Sequence, residues 1–217
     1  MKKSCLSLVL LGALLPALTA CGGYDYTDHI SEAREDIFCA ETEDFTVTLN
    51  CTSREYPYAS DGIACPTGKI AEISLIPKER AAGGYEVYVK GEKDWGGETS
   101  FRNTRGDYFY SQTVEAFPET SVTMRIVWDG GERELTATSV KNENTISVDE
   151  ALDFALKKEK DTVARMTRNG KFFGEFYVRL LRRNTNYYYV GIVDTDGKTI
   201  SLLLNSETGE VLARREN

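Results

Sequence analysis

The chain has 217 residues, with 26 Lys and Arg against 34 Asp and Glu, one His, and a formal net charge of −8. With no basic run to gather phosphates, that balance excludes a nucleic-acid partner and argues against broad adhesion to anionic lipid. The acidity is local: residues 22–145 hold 12 basic and 23 acidic side chains, whereas residues 146–217 hold 12 and 11.

At the amino terminus, Lys2 and Lys3 precede an apolar run from Leu6 to Leu18, and small residues lead to Cys21. This is the three-part layout of a secretory signal. The run is short and contains Pro16, which weighs against a permanent membrane span. Leu18-Thr19-Ala20-Cys21 resembles the lipobox of bacterial lipoproteins. The resemblance implies that residues 1–21 are a lipoprotein signal and that Cys21 becomes the lipidated first residue of the mature chain. The remainder would then work on the extracytoplasmic face, held to the cell membrane through the lipid on Cys21.

Residues 22–43 read as a small, polar tether followed by a short amphipathic helix. In that helix Ile30, Ala33, Ile37 and Ala40 recur at helical intervals, and Glu32, Arg34, Glu35 and Asp36 stand between them. From 44 to 141 the pattern changes to short β-rich runs, at Phe45 to Asn50, Lys69 to Ile76, Gly84 to Lys90, Tyr108 to Phe117, Ser121 to Trp128 and Glu132 to Ser139. Strict alternation marks several of them, and Asp129-Gly130-Gly131 supplies a hairpin turn. The expectation is an acidic, β-sandwich-like domain. Once Cys5 leaves with the signal and Cys21 takes the lipid, Cys39, Cys51 and Cys65 remain, so at most one internal disulfide forms. Cys51 with Cys65 is the favoured pair, a loop closure that would stabilise by about 3 kcal/mol.

Lys141-Asn142-Glu143-Asn144 reads as a linker. Ser147 stands three residues before Glu150, the spacing of a capping box, and Val148, Ala151, Leu152, Ala155 and Leu156 form the apolar stripe of a helix running to about Met166. Strands are expected at Phe172 to Arg182, Tyr187 to Asp194, Lys198 to Asn205 and Glu210 to Arg214. Ser147-Val148-Asp149-Glu150-Ala151-Leu152, the Asp196-Gly197 turn and the ending from Leu204 to Leu212 resemble a PepSY domain over about residues 146–217. Asn205 and Ser206 stand where that family often has an aspartate before its Thr-Gly-Glu turn. The whole chain is therefore expected to be α+β. In order it would hold a short helix, a sandwich-like domain at 44–141, and a PepSY-like helix with a three- or four-stranded antiparallel sheet at 146–217.

No nucleophile elbow, zinc-protease helix, Walker loop or dinucleotide fingerprint occurs, and a single histidine makes a Ser-His or Cys-His centre improbable. No catalytic residue, metal ligand or cofactor is implied. Asp194-Thr195-Asp196-Gly197 has the opening of a calcium loop but lacks its later ligands, which favours a hairpin turn. Helical cover on one face of the carboxy-terminal sheet would leave Tyr177, Arg179, Leu181, Tyr187, Tyr189 and Leu203 on the other, an aromatic and basic composition typical of interfaces. Charge asymmetry favours docking of this face on the acidic region, with another protein as the alternative occupant. The favoured function is a non-enzymatic binding or regulatory lipoprotein. The PepSY resemblance implies a secreted or envelope peptidase, or another envelope protein, as partner. The alternatives are carbohydrate or cell-wall binding through Trp95, Tyr108 and Tyr110, and a hydrolase using two carboxylates.

Overall fold

The structure is a computed structural model that describes residues 24–56, 63 and 65–217, so Cys21 and the expected signal at 1–21 lie outside the described residues. Among the described residues strand accounts for 56% and helix for 11%, and one sheet of 13 strands runs through them. That finding overturns the expected α+β architecture. No separate sandwich is followed by its own helix-plus-sheet unit, because the first strand gives pairing edges to both regions.

That strand, β1 (Ile30–Glu41), occupies the segment expected to be a short helix. Its helical spacing is real, but tertiary pairing overrides it. The first half of β1 pairs in parallel with β12, its second half pairs with β9, and β2 lies along the opposite edge. A register shift between Arg34 and Asp36 marks a bulge where the partner changes. Of the charges that read as a solvated helix face, Glu32, Glu35 and Asp36 are bonded across strands instead. Ser31 donates to Glu175 at 2.7 Å, and Ser139 donates to the buried Asp36 carboxylate at 2.8 Å.

Strands β2 (Phe45–Glu55), β3 (Thr67–Pro77), β4 (Tyr85–Val89), β5 (Trp95–Glu98), β6 (Ser100–Arg102), β7 (Asp107–Thr113), β8 (Ser121–Trp128) and β9 (Gly131–Ser139) complete the first region. Pairing runs β1-β2-β3-β7-β6 on one side and β1-β9-β8-β4-β5 on the other. Only Thr99 separates β5 from β6 along the chain, so the sheet nearly closes into a barrel. Alternation sends Val47, Leu49, Ile73, Leu75, Val87, Met124 and Ile126 inside around Phe38. Each such burial contributes about 1.5–3 kcal/mol.

The second region is an open wing. Helices α1 (Val148–Lys158) and α2 (Lys160–Met166) lead through a ribbon, β10 (Thr167–Arg168) and β11 (Lys171–Phe172), into β12 (Gly174–Arg182). Three antiparallel strands follow, β13 (Asn186–Asp194), β14 (Thr199–Asn205) and β15 (Val211–Glu216). The capping box forms as the spacing requires: Ser147 accepts from the Glu150 amide and Glu150 from the Ser147 amide. The single helix expected to reach Met166 breaks at Glu159, whose buried carboxylate takes Thr162 and Arg214 and so ties the break to β15.

Ala151, Leu152 and Ala155 pack on Phe176, Val178, Leu180, Tyr188, Val190, Ile192, Leu202 and Leu204. Residues 24–29, expected to belong to the tether, lie on this core too. Tyr26 and His29 each meet Phe172 edge to face, at 5.3 and 5.1 Å between ring centres.

Candidate interaction face

The pleat that buries Phe176, Val178 and Leu180 under α1 turns Tyr177, Arg179 and Leu181 to the other side of the wing, with Tyr187, Tyr189 and Leu203 beside them; all six are half-buried. The sequence placed these residues on one face, and the structure does the same. Arg179 is the centre of the group, its guanidinium 5.0 Å from the Tyr177 ring and 5.8 Å from the Tyr189 ring. The Tyr189 hydroxyl is 3.1 Å from Ser201 Oγ. Tyr187 shares the face farther along, opposite Leu181 and Asn205.

Among the described residues this face is not folded onto the acidic region, as charge asymmetry had suggested it would be. The two regions join edge to edge through β1 and β12, so the face continues across the seam. Glu32 stands beside Tyr177 in register and Arg34 beside Arg179. The Glu32 carboxylate accepts from Arg179 Nε at 2.6 Å and from Arg54 Nε at 2.8 Å. Burial pushes the Glu32 carboxyl upward, but the two arginines outweigh it and hold the group below its ordinary range. The carboxylate is buried while each arginine side chain keeps about a third of its surface. Glu32 thus fixes Arg179 between Tyr177 and Tyr189. Sequence reasoning missed Glu32, Arg34 and Arg54 because β1 was read as a helix. The signal that could have found them is the match of the Glu32-x-Arg34 alternation to Thr52-x-Arg54 on the following strand.

Cys39, Cys51 and Cys65 are all free, so the favoured Cys51–Cys65 bridge does not form. Cys51 is turned into the barrel core, where burial first, then Asp36 and Glu35, push its thiol up to about 12, while Cys65 is exposed. Tyr108 is buried inside the barrel, and Trp95 and Tyr110 pack against that core with ring centres 6.4 Å apart. Burial withdraws Tyr108 from any sugar, whereas Trp95 and Tyr110 keep part of their surface. Asp194 Oδ1 accepts the amides of Asp196 and Lys198 at 2.9 Å each, an ordinary turn. Among the described residues no group of His, Cys, Asp and Glu side chains is arranged to hold a metal ion, and no helix is long and apolar enough to cross a membrane.

The PepSY family model, described as peptidase propeptide and YPEB domain, matches residues 145–215. The chain carries a PepSY domain, which spans α1 through β15 and contains the tyrosine face. PepSY domains are generally non-catalytic, propeptide-like modules, and their presence fits a peptidase-related regulatory or binding role. At the turn where the family often has an aspartate, the side-chain carbonyl of Asn205 accepts the amides of Glu207 and Thr208 at 2.8 and 3.1 Å, so the amide does the work of a carboxylate. No curated protein and no solved structure matches the chain.

Proposed function

We propose that this protein is a non-catalytic lipoprotein, held through Cys21 on the extracytoplasmic face of the cell membrane, that binds and regulates a secreted or envelope peptidase. The observation that carries the reading is the PepSY match over the region whose sheet has helix on one face and a half-exposed tyrosine and arginine face on the other. Propeptide-like modules act by contact, and a rigid aromatic pair around a fixed guanidinium supplies contact area at low entropic cost. The lipid supplies the address, confining the face to the surface where exported peptidases emerge.

Crosslinking of the full chain in intact cells, followed by identification of what is captured, tests this directly. A peptidase should be recovered with the wild type and lost with Tyr177→Ala/Tyr189→Ala, whose circular dichroism should match the wild type because both rings lie outside the apolar core. Unchanged capture by the folded double variant would remove the face from the reading, and recovery of wall polymer in place of a peptidase would overturn it. Separately, Cys21→Ser should release the protein from the membrane fraction.

A further inference from the structure

The bulge in β1 splits the sheet. Up to Arg34 the strand pairs with β12; from Phe38 it pairs with β9, while β12 runs on to Arg182 without it. Asn186 bridges the split by donating its side-chain amide to the Val140 carbonyl at 2.6 Å. On the outer face the divergence opens a recess of about 610 Å³, with Arg34, Thr48 and Asn50 along one wall and Arg182 and Arg183 at the rim.

Arg34 is out of place in its surroundings. Arg54 and Arg179, its neighbours on the same face, share the Glu32 carboxylate, but among the described residues Arg34 has no side-chain hydrogen bond or ion pair, and its Nε is shut off from solvent. Burial lowers its affinity for the proton, with Glu72 and Glu32 only partly offsetting the effect from a distance. The side chain of Asn50, diagonal to it on β2, also lacks a hydrogen bond among the described residues. A guanidinium N–H shut off from solvent without an acceptor costs stability, and such a donor calls for an acceptor to complete it. Five arginines gather on and around this face in a chain whose net charge is −8.

We propose that the recess at the sheet fork is an oxyanion site, in which the Arg34 guanidinium takes two oxygens of a carboxylate or phosphate group, Asn50 and Thr48 donate beside it, and Arg182 and Arg183 guard the entrance. The planar fork of five N–H donors suits either group. The site adjoins the Tyr177 and Arg179 face but depends on neither the lipid nor the peptidase reading.

The test is a titration of the ¹⁵N-labelled full chain with succinate and, separately, with inorganic phosphate, following the Arg34 Nε–H resonance at constant ionic strength set by chloride. A saturable shift with either anion is expected, and the more effective one identifies the class of ligand. Arg34→Met should weaken binding by about tenfold to a hundredfold, the loss expected for charge-assisted hydrogen bonds. The same variant should melt no lower than the wild type, because methionine fills the space without an unpaired charge. Arg182→Ser/Arg183→Ser should weaken binding less than Arg34→Met does. Failure of both anions to move the resonance, unchanged binding by Arg34→Met, or a marked fall in its melting temperature would each overturn the proposal, the last by showing that Arg34 serves the fold.

Discussion

The barrel and the wing belong to one sheet, but they finish it in different ways. In the barrel, curvature brings the apolar faces of β2, β3 and β7 against those of β8 and β4 and buries Val47, Leu49, Ile73, Leu75, Met124 and Ile126 between them. In the wing, the sheet stays open and α1 covers one face, so Tyr177, Tyr189 and Leu203 stay half-exposed on the other. Closure consumes surface; openness leaves it available. The proposed contact face therefore falls on the wing, and the barrel's part is to hold β1 so that Glu32 can reach Arg179.

If β1 makes one body of these regions, damage to either core should be felt in both. Phe38→Ala in the barrel and Phe176→Ala in the wing each empty a fully buried ring site and should cost about 3–5 kcal/mol. Calorimetry should show one transition moved down in both variants. A separate low-temperature transition in Phe176→Ala would break the comparison by showing that the wing melts alone. Next in size is the seam itself. Glu32→Ala leaves Arg54 and Arg179 facing each other without their carboxylate. The expected loss is about 2–3 kcal/mol, less than for a fully buried pair because both arginines reach solvent. Partner capture should fall with it, since Arg179 loses the bond that fixes it between the tyrosines.

A smaller effect is expected at Gly209, which has φ +69° at the turn between β14 and β15, and where a Cβ would run into the Phe154 ring. Gly209→Ala should cost about 1–2 kcal/mol through the left-handed backbone and the displaced ring. The melting temperature checks it, and an unchanged value would show that α1 yields more readily than the packing implies.

What could be read in the sequence follows the same division. Strands with strict alternation were legible nearly to the residue: Ser121 to Trp128 is β8, and the run begun at Lys69 is β3 with two residues added at its start and one at its end. The capping box at Ser147 and Glu150 was legible because it is a local device, satisfied within one turn. β1 was not, because its burial is decided by strands on both sides. A bulge resets its phase, so Ser31, Glu32 and Ala33 are buried together and then Asp36, Ile37 and Phe38. No single period describes such a strand. The tyrosine face could be read from alternation in β12 and β13, but its Glu32 clamp could not, since that contact spans 147 residues.

The amino-terminal segment gives the finest probe of how firmly the wing holds what lies beside it. His29 Nδ1 is 3.2 Å from the Gly174 carbonyl and Nε2 is 2.7 Å from the Tyr24 hydroxyl. A carbonyl only accepts, so in the neutral ring Nδ1 carries the proton and Nε2 accepts from Tyr24; a second proton on Nε2 would reverse that bond, the hydroxyl oxygen then accepting. Burial holds the imidazole pKa below its ordinary value, and Lys171 acts the same way, with the Gly174 carbonyl and Asp28 opposing. Between that lowered pKa and the unfolded value of about 6.5, the unfolded chain binds more protons, so stability rises with pH and is lost as pH falls below about 6.5. Glu32, Glu159 and Asp107, whose pKa values are also lowered, lose their contributions only below about pH 4.5, so the windows separate. Urea midpoints measured between about pH 7.5 and 5.5 should therefore fall for the wild type and stay nearly level for His29→Gln, which keeps a donor for Gly174 but cannot titrate. An equal fall in both proteins would place the acid sensitivity elsewhere and leave the packing of residues 24–29 against Phe172 independent of the charge on His29.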